Sequence, residues 1–492
     1  VLLGIDIGTS SSKGVAVSES GEIVAIETRP HATSTPAPGW FEHDPDGVWW
    51  DDTCDLSRRL LAATEHATVG AVCVSGIGPC ALVTDDRNRP LRPGILYGID
   101  TRAEAEIAEI AREIDEASLR EHAGNLLTTQ SVGPKLRWIA RHDPDAWDEA
   151  RRLFSASSFI VERLTGEYVM DHYTASASDP LYDLPTHDWW ERGWGATAAR
   201  LEPPRLVWPG EIVGTVTPPA AAATGLPVGT PVLAGTIDAM ADSYSVGCRD
   251  IGDTMVMYGS TLFLIETVAR RIDVPTLWSY GGRTEETYSL AAGMATSGLI
   301  TNWFAELVDR SIQDLVDEAR GVTAGSGGLV LLPYFSGERT PLFDPQARGV
   351  WIGLTLSHDR ANLYRSILEG VAFGVRHNLE AMTAAGARPR RLVAVGGGTR
   401  GDLWMQIVSD VAGLPQDVPE ITVGAAYGDA RMAADACSFS TAAWNPVATT
   451  IVPDPRTRDV YDALYDVYTR AYPLLRDDMH HLATLHRLAT LH

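Results

Sequence analysis

The chain has 492 residues, 45% hydrophobic and 21% charged, a length and balance that predict a soluble protein of two or more domains. Its 40 Lys and Arg stand against 64 Asp and Glu, and the resulting net charge of −24 argues against a nucleic-acid footprint or an anionic membrane surface as partner, although a local field can still receive a phosphorylated ligand. Five scattered cysteines without CxxC spacing, no signal-peptide pattern and no apolar run near 18 residues predict reduced thiols and a cytoplasmic setting without a membrane anchor.

The opening segment, VLLGIDIGTSSSKGVAVSESGEIVAIET, predicts three strands. Residues 1–6 are apolar and β-prone, Gly8–Lys13 is a polar turn, 14–17 resume a strand, and SESGE turns the chain into 23–28. Asp44-Pro45 signals a helix start, and Trp49, Leu56, Leu60 and Leu61 form a helical stripe behind it. VGAVCVSGIG is the next strand. This alternation predicts an α/β fold with a central mixed sheet. Residues 101–200 read as largely helical and as insertions or caps on that core; the charges of RAEAEIAEIAREID suit a solvated face.

TPVLAGTIDAMADSYSVG, residues 230–247, places one carboxylate, Asp238, at the end of an apolar strand among small residues. Next, GDTMVMYGSTLFLIET, residues 252–267, repeats the strand, Gly-Ser-Thr, strand pattern of the opening. Two such hairpins, each heading a long α/β segment, predict two related domains facing one cleft. The expected division is 1–245, 246–470, and a C-terminal helix and tail over 471–492. That tail repeats LATLH, which reads as a cloning scar or a frayed helix end rather than a metal site.

A turn of Gly, Ser and Thr lets backbone N–H groups approach an anion and adds hydroxyl donors. Gly8, Thr9, Ser10 and Ser11, with Lys13 at the exit, and Gly259, Ser260 and Thr261 are therefore candidate phosphate contacts. Asp6 and Ser10–Ser12 can equally satisfy a hairpin. Asp238 can equally cap a helix. The loop Gly396–Gly401 matches GxGxxG between a strand and a helix, which suits a dinucleotide or an adenosine. No GxxxxGK[ST] occurs, which argues against a P-loop ATPase.

Taken together, these elements resemble the FGGY family of carbohydrate kinases over nearly the whole chain. The resemblance rests on GIDIGTSSSKG, GWFEHDPDGVWWD, RPGILYGIDTRAEAE, GTIDAMADSYSVG, GDTMVMYGSTLF, VAVGGGTRGDLWMQIVSDVAGLP and, most specifically, LLPYFSGERTPLFDPQARGVWIGLTLSHDRANLYRSILEGVAF. It implies two ribonuclease H-like domains of the sugar kinase, actin and Hsp70 ATPase architecture flanking a nucleotide-binding cleft. It further implies ATP and Mg²⁺, a small sugar or polyol substrate, and a homodimer as a family-level expectation.

By resemblance, Asp238 is the general base, and Asp6 lies near Mg²⁺, held with Asp238 through water. Gly298 and Asn302 contact the nucleotide, and Gly397, Gly398 and Gly401 line the adenosine pocket. Glu338, Arg339 and Arg348 read as loop anchors near the cleft. The substrate pocket departs from the better-known members. Xylulokinases carry Met-His-Gly where this chain has Gly78-Pro79-Cys80, and the Arg-Glu pair of glycerol kinases is missing. Gly78 and Pro79 then form the floor, and Asp100, Arg102 and Gln130 are candidates for hydroxyl recognition. A ketopentose leads the substrate classes, with gluconate, another ketose or a polyol as alternatives. A sugar-sensing protein without turnover and a nicotinamide enzyme using Gly396–Gly401 are the readings from other classes.

Overall fold

A computed structural model of the chain describes residues 1–490, apart from the side chains of Arg400 and 487–490. Two seven-stranded sheets organise it. In the first, Ile23–Pro30, Ser11–Val17 and Leu2–Ile7 form an antiparallel meander. Ala71–Gly76 then joins Leu2–Ile7 in parallel, Pro231–Leu233 follows in parallel, and Ile212–Thr215 closes the edge antiparallel. Thr236–Ile237 continues the line of Pro231–Leu233 along Ala71–Gly76.

The second sheet repeats this order. Tyr288–Met294, Leu262–Val268 and Asp253–Tyr258 are antiparallel; Arg391–Val395 and Gln416–Pro419 add in parallel; Val447–Ile451 closes antiparallel, and Trp278–Gly281 adds one further edge strand. The Gly-Ser-Thr echo in the sequence thus marks a duplicated topology.

Local chemistry explains the elements. Leu3, Ile5 and Ile7 of the opening strand are fully buried with Val72 and Val74, as expected for a parallel strand covered on both faces. Trp49, Leu56, Leu60 and Leu61 pack under this sheet from Pro45–Trp50, where the helix opens with a wider turn, and from Asp51–Ala63. The 101–200 region is largely helical, but not all of it is a cap: Phe159, Ile160 and Val161 of helix Ala156–Thr165 belong to the core of the first sheet.

The chain crosses back onto the first sheet. Helix Ala425–Ala436, from the second half, packs on Leu2, Val15 and Ala71 of the first sheet and on helix Asp238–Ser245. Two close approaches require glycine. A Cβ on Gly4 would sit 1.9 Å from the carbonyl of Ala426, and one on Gly428 would sit 1.9 Å from that of Ala241. The C-terminal helix runs unbroken over Arg458–Thr490, through residue 470, and holds the first LATLH copy; the second extends beyond the described residues. No helix among the described residues is long and apolar enough to cross a membrane.

Candidate active site

Three strand ends converge. Asp6 stands in register with Ser75, and Thr236 pairs with Ser75 from the other side, so Asp6 and Asp238 flank the carboxyl end of Ala71–Gly76. That edge is where parallel sheets commonly place ligands. Asp238 is the first residue of helix Asp238–Ser245 and accepts from the N–H of Ala239 at 2.7 Å. Its neighbours Ile237 and Met240 share a core cluster with Met255, Val393 and Val395 of the second sheet. The carboxylate therefore sits at the seam between the two sheets.

The acids there repel one another. Burial, and then the charge of Asp6, push Asp238 up to about 7. Burial pushes Asp6 up to about 6, against the opposing pull of Ser75 and Lys13. Asp242, one helical turn beyond Asp238, is held well above the carboxylate range by burial and by both of those acids. Asp429, on the helix that crosses back, accepts from the Ser75 N–H at 3.0 Å and from its hydroxyl at 2.6 Å. Neither Asp242 nor Asp429 is among the residues that the sequence singles out. The i, i+4 spacing from Asp238 was a usable signal for Asp242; Asp429 had none, because only tertiary packing brings it here.

The two turns are built alike. The first spans Gly8–Ser10, with Gly8 N–H donating to Ser11 at 3.1 Å. Ser11 and Lys13, expected in the turn, lie on the following strand because pairing with Leu2–Ile7 already begins at Ser12. Lys13 still reaches the site: it faces Asp6 in register, and its Nζ donates to the Val423 carbonyl at 3.0 Å. In the second turn Gly259 N–H donates to Thr261 at 3.0 Å. Helix Gly298–Leu307 seats its N-terminus on that turn, with Gly298 N–H on the Gly259 carbonyl and Ser297 and Leu299 N–H on the Ser260 carbonyl. Asn302 is exposed one turn further and lines a shallow basin with Glu306 and Arg310.

The glycine loop follows strand Arg391–Val395. Gly396 and Gly398 press on Tyr258 at the end of the neighbouring strand, where added Cβ atoms would meet its carbonyl and Cβ at 2.7 Å. Gly397 faces open space, and Gly401 precedes helix Asp402–Ala412.

The floor beside Asp238 is Gly78-Pro79, both buried, with Ile237 filling the space a Gly78 side chain would need. Tyr97, Tyr173 and Cys80 all feel the charge of Asp238, which places them around it. Gln130 spends its amide on the floor, accepting from Gly98 N–H at 3.0 Å and donating to the Gly78 carbonyl at 3.1 Å.

Asp100 and Arg102 are a correction. Their side chains are wholly buried, Arg102 donates to both Asp100 oxygens and to Glu42, and its guanidinium lies 4.5 Å over Trp40 and 5.0 Å over Trp138. With its partners used internally, this pair braces the wall and offers nothing to a hydroxyl. Lys135, missed in the sequence, is buried with its Nζ on the Tyr97 carbonyl at 3.1 Å, and burial brings it down to about 8. Glu338 anchors its loop by accepting from Ala295 and Arg339 N–H groups, and Arg348 does so on backbone carbonyls.

Among the described residues no group of three or more His, Cys, Asp and Glu side chains is placed to hold a metal ion by itself. Asp6, raised by burial, and Asp238, raised by burial and by the charge of Asp6, still suit Mg²⁺, which takes one or two carboxylates and completes its shell with water and phosphate oxygens.

Comparisons with known proteins agree with this architecture. Residues 1–243 match the N-terminal domain model of the FGGY family of carbohydrate kinases, and residues 254–437 match its C-terminal domain model. A xylulose kinase of Escherichia coli is 29% identical over 483 residues, covering 96% of this chain and 99% of the relative. A glycerol kinase of Alkalilimnicola ehrlichii is 29% identical over 462 residues, covering 90% and 91%. The crystal structure of xylulose kinase from Rhodospirillum rubrum superposes with a TM-score of 0.90 at 32% identity, covering 97% of this chain and 99% of that one.

Proposed function

The chain belongs to the FGGY family of carbohydrate kinases, and from that premise we propose that it transfers the γ-phosphoryl group of ATP to a hydroxyl of a ketopentose such as xylulose, with Asp238 as general base. The observation that carries this reading is the position of Asp238: at the carboxyl end of the parallel strands, on the seam between the sheets, with a pKa lifted to about 7.

Phosphoryl transfer asks a protein mainly for positioning and charge stabilisation. The backbone N–H groups of Thr9 and Ser10 and of Ser260 and Thr261 hold phosphate oxygens, one turn from each sheet. Gly397, Gly398 and Gly401 leave room for the adenosine, and the Gly298 helix aims its N-terminal end at the same phosphates. The sugar rests on Gly78-Pro79 with its reacting hydroxyl at Asp238. Asp238 accepts that proton on a carboxylate oxygen as the hydroxyl oxygen attacks the γ-phosphorus and the bond to the ADP leaving oxygen breaks. A base whose pKa lies near the working pH accepts the proton readily yet can release it afterwards. Asp6 and Asp238 would hold Mg²⁺ through its water shell. That ion would neutralise charge building on the transferring phosphoryl group.

Gly78-Pro79-Cys80 favours a second reading, in which the acceptor is gluconate, another ketose or a polyol, or the protein senses a sugar without turnover. A panel of ketopentoses, other ketoses, polyols and aldonates incubated with ATP and followed by ³¹P NMR tests both. A phosphorylated ketopentose is the expected product. Product only from another acceptor reassigns the substrate, and sugar binding with no product from any acceptor removes the kinase reaction.

A further inference from the structure

The carbonyls of the first turn are tied from behind, and two of the ties are imidazoles. His31 Nε2 lies 3.1 Å from the Gly8 carbonyl, and His43 Nε2 lies 3.1 Å from the Thr9 carbonyl. The Thr33 hydroxyl also donates to Thr9, and the His31 N–H donates to the Ser10 carbonyl at 3.0 Å. Both peptide bonds of the turn are trans, so each tied carbonyl turns the following N–H the opposite way. Thr9 N–H and Ser10 N–H donate to nothing among the described residues. The second turn uses the same plan with different parts: backbone N–H groups at the start of the Gly298 helix tie its carbonyls, and the Ser260 and Thr261 N–H groups donate to nothing among the described residues.

The two imidazoles differ in protonation. Trp49 Nε1 donates to His43 Nδ1 at 3.1 Å, so Nδ1 is an acceptor and the proton sits on Nε2, facing Thr9. Burial and the neighbouring His31 keep that ring neutral, lowering it to about 4. His31 has acceptors on both sides: Nδ1 lies 2.7 Å from Asp52 Oδ2, and Nε2 faces the Gly8 carbonyl. Asp52 also accepts from the Ser12 hydroxyl at 2.6 Å and pairs with Arg29 at 3.0 Å, so it is the carboxylate form that His31 meets. Both ring nitrogens must then donate. The charged and titratable groups facing His31 are Asp52 from helix Asp51–Ala63, Arg29 from strand Ile23–Pro30, and His43, its ring 5.0 Å away.

We infer that His31, as an imidazolium, and His43, as a neutral ring, are positioning residues for nucleotide binding: they hold the Gly8 and Thr9 carbonyls so that the Thr9 and Ser10 N–H groups face the phosphates. This rests on the kinase reading for the identity of the anion, not for the geometry.

Ring-¹⁵N-labelled histidine NMR of the whole chain, with His31 assigned by its loss in His31→Gln, is the first test. Two protonated ring nitrogens at neutral pH are expected; one overturns the inference. Calorimetric binding of adenylyl imidodiphosphate is the second. Affinity should drop about tenfold or more in His31→Ala, the range of a lost charged hydrogen bond. His31→Gln, which can still donate to Gly8, should restore part of it. Unchanged affinity in His31→Ala, or no recovery of affinity in His31→Gln, overturns it. Wild-type binding of the analogue with these effects but no phosphorylated sugar would remove the kinase reading and leave the inference standing. Sugar phosphorylation with none of these effects would do the reverse.

Discussion

Gly298 donates its N–H to the carbonyl of Gly259 at 3.0 Å, and a Cβ on Gly298 would stand 2.7 Å from that same oxygen. A backbone-to-backbone contact this close leaves no room for a methyl group. Gly298→Ala should push the helix off the second turn and raise KM for ATP about tenfold or more, at a stability cost of about 1–3 kcal/mol typical of overpacking. KM for the sugar should change little. Steady-state kinetics in both substrates and a denaturant melt check this.

Lys13 links the two halves of the site. Its Nζ holds the Val423 carbonyl, and its charge lowers the pKa of Asp6. Lys13→Met removes both effects. A hydrogen bond from a charged donor is worth ~1.5–3 kcal/mol, so kcat/KM for ATP should fall roughly ten- to a hundredfold. The acid limb of its pH profile should move to higher pH as Asp6 rises. An unmoved limb would separate Lys13 from Asp6.

The fold was legible in the sequence because its signals were local. Strand–turn–strand patterns around Gly8 and Gly259 and the stripe Trp49, Leu56, Leu60 and Leu61 correspond to buried elements in place. Those signals stop where distant segments meet. Asp429 and Val423 reach Ser75 and Lys13 only because helix Ala425–Ala436 crosses back onto the first sheet. Asp100 and Arg102 misled for the opposite reason: a charged pair in a loop looks available until burial between Trp40 and Trp138 is seen. The partners of Gln130 were equally unreadable, since its amide bridges the Gly98 N–H and the Gly78 carbonyl from another segment of the chain.

Arg102→Ala tests the bracing role directly. It strands Asp100 without its cation in a buried site, while Glu42 keeps Arg92 at 2.8 Å, and breaking such a buried pair costs ~3–5 kcal/mol. Thermal stability should drop sharply, while KM for the sugar in the folded protein stays close to wild type. A sugar KM raised many-fold with unchanged stability would return Arg102 to the substrate.

The acid cluster predicts an inverted stability profile in the ligand-free protein. Asp6 and Asp238 rise from 3.8 to about 6 and about 7 on folding, so between pH ~4 and 7 the native state binds more protons than the unfolded state. Their contribution to stability is therefore greatest at low pH and is lost as pH rises through that window. Asp238→Asn should raise Tm at pH 8, with the gain shrinking toward pH 4, as calorimetry across this range would record. A lower Tm for Asp238→Asn at pH 8 would contradict the repulsion.

The most direct measurement is the turnover of Asp238→Asn with the best acceptor from the substrate panel. The Asn side chain keeps the size and the Ala239 contact but cannot take a proton. The prediction is a fall in kcat of ~10²–10⁴ with ATP affinity and fold retained. A kcat within tenfold of wild type, in a folded variant that binds ATP, would show that the proton leaves by another route.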